Sequence, residues 1–231
     1  MFYFDPLYFI LILPALLLAS FAQSRVRGAY QRFSRIRSSR GISGAEVARA
    51  ILADAGVSNV DIEYSQRGAL SDHYDPRAGA VRLSRDVHDG RTLASLGIAA
   101  HEVGHALQHA TGYAWLGMRN AIIPITQFGS TLAFPLFFIG LLFAGSTGQL
   151  LMYAGLVLFG SAVAFQLITL PVEYNASARA MRALETGGYI TSREAGGVRQ
   201  VLNAAALTYL AAALMALMQF IYLFTLQGRR R

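Results

Sequence analysis

Four long apolar runs restrict the folds that this chain can adopt. They cover residues 2–21, 122–144, 150–170 and 204–226. Each run has about the ~20 residues that a helix needs to cross the hydrocarbon core of a bilayer. Hydrophobic residues make up 54% of the chain and charged residues only 14%, a balance too apolar for a soluble domain of this length. The sequence therefore predicts a mainly α-helical integral membrane protein with about four transmembrane helices.

The first apolar run is predicted to be a retained transmembrane anchor, residues 1–22, rather than a cleaved signal peptide. A signal peptide begins with basic residues, whereas in this chain the basic residues follow the apolar run. These residues are Arg25, Arg27, Arg32, Arg35, Arg37 and Arg40. Because arginine is enriched on the cytoplasmic side of membrane helices, we expect the N-terminus outside and residue 25 onwards in the cytoplasm.

The charges leave the topology of the C-terminal segment, residues 204–231, open. With four spans and the N-terminus outside, Arg229, Arg230 and Arg231 would also lie outside, against the usual distribution of arginine. The segment is therefore predicted to be either a transmembrane helix or a re-entrant helix with a basic tail.

Residues 23–118 have the pattern of a small cytoplasmic α+β domain. Ser43 and Glu46 fit a capping box at the start of a helix that should end near Gly56. The apolar residues that follow Glu46 recur at helical spacing, which supports this assignment.

Short strands are predicted within the same domain at residues 60–64 and 80–84, where the sequence is apolar and β-branched. Between them, the Asp75–Pro76 step disfavours helix and predicts a turn over residues 71–76.

His101, Glu102 and His105 form an H-E-x-x-H motif within a predicted helix, residues 92–110. Residues four apart lie on one face of a helix, so both imidazoles can bind the same metal ion. Zinc suits this pair, because it accepts neutral imidazole and lowers the pKa of a bound water. Glu102 is adjacent, where it can hold that water and accept its proton. The alternative is a partly exposed helix with two incidental histidines.

A catalytic zinc site needs a third protein ligand. The acids and histidines that follow the motif are His109, Glu173, Glu185 and Glu194. His109 lies a further turn along the helix axis, and the last two glutamates flank glycine-rich sequence that predicts no rigid element.

Glu173 is favoured by its position after the second and third apolar runs, which form a predicted transmembrane hairpin, residues 119–171. The hairpin returns the chain to the membrane face that it left after His105, into a predicted cytoplasmic-side helical segment, residues 172–203. Pro171 favours the first turn of a new helix just before Glu173. His109 and His73 are the next candidates for the third ligand.

The residues around these positions resemble a known family. The sequence from His101 to Gln108, together with residues 72–76 and 170–177, is similar to the YugP-type neutral zinc metallopeptidases of bacterial membranes. The resemblance covers nearly the whole chain and extends more distantly to membrane-bound gluzincins of the HtpX kind. It implies that Glu173 is the third ligand. Ser177 stands where the more distant relatives have aspartate, and Asn175 stands where aspartate is expected in the closer family. Both positions bear on the groups that support the ligands.

These observations predict a membrane-embedded zinc metalloendopeptidase with a zincin-like domain, in which Glu102 is the catalytic base and His101, His105 and Glu173 bind Zn²⁺. We expect it in the inner (plasma) membrane as a multi-pass protein with its active site facing the cytoplasm. The expected partners are the lipid bilayer and protein or peptide substrates, themselves membrane-associated, and no nucleic acid. A strand at residues 81–84 is expected to be a sheet edge that pairs with extended substrate.

Two other functions remain open from the sequence. One is a catalytically inactive scaffold in which zinc has a structural role; Glu102 argues against it, because a structural zinc site needs no base. The other is a protease with its motif inside the bilayer. The charged residues that precede the motif helix, among them Asp86 and Arg91, disfavour that placement.

Overall fold

A computed structural model describes residues 5–66, 68 and 71–229 and shows a mainly helical chain with one small sheet. The helices are α1 (Pro6–Phe33), α2 (Gly44–Asp54), α3 (Arg85–His88), α4 (Leu93–Ala110), α5 (Ala114–Leu142), α6 (Gly145–Thr186) and α7 (Ser192–Gly228). The strands are β1 (Asp61–Tyr64), β2 (His73–Asp75) and β3 (Ala80–Leu83). The predicted mainly α-helical class is confirmed.

Four helices in the described part of the chain, α1, α5, α6 and α7, are long and apolar enough to cross a membrane. This agrees with the number of apolar spans predicted from the sequence. The helices extend beyond the apolar runs: α1 continues through the first arginines to Phe33, and α7 begins already at Ser192.

Helix α6 runs for 42 residues without a break at Pro171. The prediction that a new helix begins at Pro171 is therefore wrong, and Glu173 lies in the middle of a helix. A proline inside a helix removes one backbone hydrogen bond, and membrane helices tolerate this loss when neighbouring groups satisfy the freed carbonyl.

The three strands form a sheet in the order β1-β3-β2, with β3 in the centre. Strand β3 pairs in parallel with β1 and antiparallel with β2, so the expectation that residues 81–84 form a sheet edge is wrong. The two edges of the sheet are β1 and β2, and β2 lies inside the segment predicted as a turn. Proline restricts the residue before it to extended backbone, so Asp75 ends a strand and the turn begins only at Pro76.

The chain divides into two compact units. The first, named the apolar unit, comprises residues up to Ala22, Gly117–Pro171 and the residues from Thr208 onwards. The second, named the site unit, comprises Gln23–Leu116 and Val172–Leu207.

The apolar unit has a core of large side chains from α5, α6 and α7, among them Phe137, Met152 and Leu223. Glycines allow its helices to approach closely: a Cβ atom on Gly155 of α6 would lie 2.7 Å from the carbonyl oxygen of Ala133 in α5. Small residues of this kind are typical of helix packing in membranes, where close backbone contact replaces the hydrophobic driving force.

An ion pair joins the two ends of the apolar unit. Arg229 Nη1, just after α7, lies 2.8 Å from Asp5 Oδ2, just before α1. Helix α1 begins next to Asp5 and helix α7 ends next to Arg229. The ion pair therefore places the first and last described residues on the same side of the apolar unit. An even number of spans gives this arrangement.

The site unit contains α2, the sheet, α4, the C-terminal part of α6 and the N-terminal part of α7. Its core residues include Val47, Ile51, Leu83, Leu96, Val103, Leu184 and Val198. The capping box predicted for α2 is confirmed, since Ser43 Oγ accepts from Glu46 N at 3.2 Å and Glu46 Oε2 accepts from Ser43 N at 2.6 Å. These contacts fix the start of a helix that packs against α4.

Candidate metal centre

Helix α4 presents His101 and His105 one turn apart on one face, as the motif predicts. The helix begins after Thr92, whose Oγ1 accepts a hydrogen bond from Ser95 N at 3.2 Å. The two imidazole rings lie 4.9 Å apart between centroids and at nearly right angles to each other. The side chains of both histidines are largely buried, so neither residue is a surface histidine.

Helix α6 brings Glu173 to these histidines because it contacts α4 at a glycine. A Cβ atom on Gly104 would lie 2.5 Å from the backbone oxygen of Ala176, so no larger residue fits between the helices at this point. Gly104 lies between the two histidines in sequence and Ala176 lies one turn after Glu173. The backbone contact therefore places the carboxylate over the histidine pair.

His101, His105 and Glu173 form a group whose possible ligand atoms all lie within 4.8 Å of one another. Glu173 Oε2 lies 3.2 Å from His101 Nε2 and 3.5 Å from His105 Nε2. Ligands ~2.0–2.1 Å from a tetrahedral zinc ion lie about 3.4 Å apart, so the spacing and the N, N, O donor set fit zinc. The Glu173 side chain is almost fully buried, and a buried carboxylate needs positive charge or donors around it.

Each histidine has a polar partner on its other ring nitrogen. His105 Nδ1 lies 3.1 Å from Gln108 Oε1, and His101 Nδ1 lies 3.1 Å from Ser177 Oγ. These contacts direct the Nε2 atoms of both rings towards Glu173. Ser177, at a position where the more distant relatives have aspartate, thus contacts the proposed zinc ligand His101.

Glu102 is half-buried in α4, directly after His101. Asp72 is near enough to interact with it electrostatically. Burial raises the pKa of Asp72, hydrogen bonds from Ser84 oppose this shift, and the negative charge of Glu102 raises the pKa further. Asp72 lies 30 residues before Glu102 in the sequence, and no local pattern predicts that the two carboxylates lie close together.

The other candidate residues have partners away from the three-residue group. His109 Nδ1 contacts Tyr74 Oη at 2.7 Å, and His73 Nδ1 contacts the carbonyl oxygen of Ser71 at 2.8 Å. Glu185 pairs with Arg199 at 3.1 Å. Glu194, in the first turn of α7, accepts hydrogen bonds from Ser39 and Thr191.

Gln108 and Arg179, to which the sequence assigned no role in the site, lie behind His105 together with Asn175. Gln108 is fully buried, and its Nε2 donates to Val172 O at 2.8 Å and to Asn175 Oδ1 at 3.0 Å. Arg179 Nε donates to the same Asn175 oxygen at 2.8 Å. The available signal was the position of Gln108, three residues after His105 and so on the same side of the helix.

The sequence matches a family model described as "Putative neutral zinc metallopeptidase" over residues 8–228. Since the match covers nearly the whole chain, this chain belongs to that family of neutral zinc metallopeptidases. The family implies zinc, and the group of His101, His105 and Glu173 is a possible site for it.

A similar protein is the "Putative membrane protease YugP" of Bacillus subtilis (strain 168). The two are 46% identical over 226 residues, which cover 96% of this chain and 98% of that protein. The resemblance inferred from the motifs is thereby confirmed. No solved structure gives a significant match to the chain.

Proposed function

We propose that this protein is a zinc-dependent endopeptidase of the membrane, with His101, His105 and Glu173 as the zinc ligands. The convergence of these three side chains from two helices is the observation that carries the proposal. Membership of a zinc metallopeptidase family and the name of the Bacillus relative support it. The finer classification as a zincin-like, gluzincin-type site rests on the motif in α4 and on a glutamate as third ligand.

In the proposed reaction, Glu102 is the general base and later the general acid. A bound zinc ion would supply Lewis acidity that polarises the scissile carbonyl and makes water more acidic. Glu102 takes one proton from the attacking water as the new carbon–oxygen bond forms. It then gives that proton to the amine nitrogen as the carbon–nitrogen bond breaks. The position of Glu102 directly after His101 in α4 supports this role.

The substrate in this proposal is an extended peptide that pairs with β2. Strand β2 is a sheet edge, it contacts α4, and Tyr74 Oη joins it to His109 near the end of α4. Backbone pairing with such an edge positions a peptide with little dependence on its sequence. This corrects the expectation that β3 would have this role.

The test of catalysis is a comparison of Glu102→Ala with wild type. Glu102→Ala is expected to keep near-stoichiometric zinc, because Glu102 is not a ligand, and to lose peptide cleavage. The loss should be about 10²–10⁴-fold, as for other general bases. Equal cleavage by both proteins would contradict the mechanism. Zinc without any cleavage in wild type would instead favour the structural-zinc scaffold.

We also propose that the site unit faces the cytoplasm of a cell with the chain in its inner membrane. The six arginines that follow the first apolar run support this orientation. The chain has no cysteine, so Ser58→Cys in the site unit and Ser146→Cys after α5 give matched, exposed reporters. A membrane-impermeant thiol reagent should label Ser146→Cys in intact cells and Ser58→Cys only after permeabilisation. The reverse pattern would overturn the orientation.

A further inference from the structure

A series of hydrogen-bonded polar groups lies behind His105 and joins α4 to α6; His105 and Gln108 are buried, and Asn175 and Arg179 are half-buried. It runs from His105 Nδ1 to Gln108 Oε1, from Gln108 Nε2 to Asn175 Oδ1, and from Asn175 Oδ1 to Arg179 Nε. The successive distances are 3.1, 3.0 and 2.8 Å. Each partner therefore lies within hydrogen-bonding distance of the next.

The direction of each of these hydrogen bonds is fixed, because the series ends in groups that can only donate or only accept. The guanidinium of Arg179 only donates, so Asn175 must present its oxygen to it. The backbone carbonyl of Val172 only accepts, so Gln108 must present its NH₂ to it. Asn175 Oδ1 then accepts a second bond from Gln108, which agrees with both constraints.

The orientation of Gln108 leaves its oxygen facing His105. An amide oxygen accepts, so His105 must carry its proton on Nδ1. The lone pair of the neutral ring is then on Nε2, the atom that lies 3.5 Å from Glu173 Oε2. The ring is thus held in the one tautomer that can bind a metal ion at Nε2.

His101 lacks such a constraint. Its Nδ1 contacts Ser177 Oγ, and a hydroxyl can donate or accept. The two histidines of the motif therefore differ: the fold determines the tautomer of His105 but leaves that of His101 to be set by other groups.

We propose that Gln108, Asn175 and Arg179 act as a positioning relay that holds His105 as its Nδ1–H tautomer and thereby increases the affinity of the site for zinc. The inference rests on the proposed zinc site. It assigns a role to three residues that bind neither metal nor substrate. Arg179 also donates to Leu107 O at 3.3 Å, so it ties the far end of the relay to α4 itself.

The relay explains how an asparagine at position 175 supports the site without a carboxylate. The task of this residue is to offer oxygen to two donors, and one asparagine oxygen has the two lone pairs needed. Aspartate has the same shape and keeps an acceptor oxygen at the position of Oδ1, whereas leucine has a similar volume and offers no acceptor. The pair Asn175→Leu and Asn175→Asp therefore separates hydrogen bonding from packing.

The test measures zinc dissociation constants by chelator competition on the purified full chain, together with the absorption spectrum of the Co²⁺-substituted protein. Asn175→Leu is expected to weaken zinc binding by ~10-fold, the lower end of the range for losing an outer partner of a ligand, because Gln108 keeps its hydrogen bond to Val172 O. It should also shift the Co²⁺ bands, because the geometry at His105 relaxes. Asn175→Asp should restore both wild-type affinity and spectrum, and Arg179→Gln should fall between the two.

The control is Asn203→Leu, which makes the same substitution at an exposed position on α7, outside the relay. It should leave the zinc affinity and the Co²⁺ spectrum unchanged. Wild-type affinity and spectrum in both Asn175→Leu and Arg179→Gln would overturn the relay. Equal weakening by Asn175→Leu and Asn175→Asp would also overturn it, because packing rather than hydrogen bonding would then be the cause. Failure of wild type to bind zinc would contradict the proposed function itself, a result distinguishable from these.

Discussion

Helices α4 and α6 contribute to the candidate metal centre in different ways. Helix α4 supplies His101, Glu102 and His105 from one turn, where their relative positions follow from helix geometry alone. Helix α6 supplies Glu173, which is 72 residues from His101 and reaches it only because the helices pack together. The same packing brings Ser177 and Asn175 behind the two histidines.

The α4 half of the site therefore depends only on an intact helix, whereas the α6 half depends on how the two helices pack. A change on α4 that leaves the helix intact leaves the histidine spacing intact as well. A shift of α6 by a fraction of an ångström alters the distance from Glu173 to both imidazoles. We therefore expect the largest losses of zinc from changes at Glu173 and at the helix contact, and smaller losses from the supporting groups.

The largest effect is expected from Glu173→Ala. It removes one of three proposed ligands, so zinc affinity should fall by more than the ~10–100-fold that loss of an outer hydrogen-bond partner causes. Cleavage should be lost with the metal, as measured by zinc analysis and a peptide assay. Glu185→Ala, which removes only an exposed ion pair with Arg199, is the control and should keep both. Full zinc content in Glu173→Ala would refute the ligand set.

The next effect is expected from Gly104→Ala, which tests the helix contact directly. The new methyl group would meet the backbone of Ala176 at 2.5 Å, and backbone cannot rotate away. Overpacking of this kind costs about 1–3 kcal/mol of stability, and the separation of α6 from α4 should also weaken zinc binding.

Gly196→Ala is the matched control for the helix contact. Gly196 is also inside a helix, but a Cβ atom there meets nothing within 4 Å. Alanine favours helix over glycine by about 1 kcal/mol, so this variant should be as stable as wild type or more so in thermal unfolding. A Gly104→Ala protein with wild-type zinc affinity would show that the contact does not position Glu173.

A smaller effect is expected from Ser177, which tests the support of His101. Ser177→Ala removes the partner of His101 Nδ1 and should weaken zinc at the lower end of the ~10–100-fold range, because a hydroxyl does not fix the tautomer. Ser177→Asp supplies an obligate acceptor and should bind zinc at least as tightly as wild type. Weaker binding by Ser177→Asp than by Ser177→Ala would contradict this account of the two histidines.

The smallest effect is expected from His109→Ala on α4. His109 contacts Tyr74 of β2 rather than the metal group, so zinc content should not change. Loss of one exposed hydrogen bond worth ~0.5–1 kcal/mol should raise the KM for peptides about two- to fivefold, if β2 holds the substrate. Tyr74→Phe removes the other partner of the same bond and should have the same effect. A loss of zinc in His109→Ala would instead make His109 a ligand.

The sequence by itself determined the features that depend on residues close together in the chain. The apolar runs predicted four membrane helices, the Ser43–Glu46 pair predicted the start of α2, and the motif predicted the histidine spacing on α4. Each follows from bilayer thickness, from capping geometry or from the helical repeat, and none of these requires knowledge of distant contacts.

The tertiary structure decided the features in which distant segments meet. Helix α6 continues through Pro171, β3 lies in the centre of the sheet with β2 at one edge, and Gln108 meets Asn175. Local propensity fails at such points because several helices and strands compete for the same contacts, and packing selects among backbone paths that the sequence allows almost equally. The half of the site on α6 follows from that selection, since the fit of Gly104 against Ala176 brings Glu173 close to the histidines.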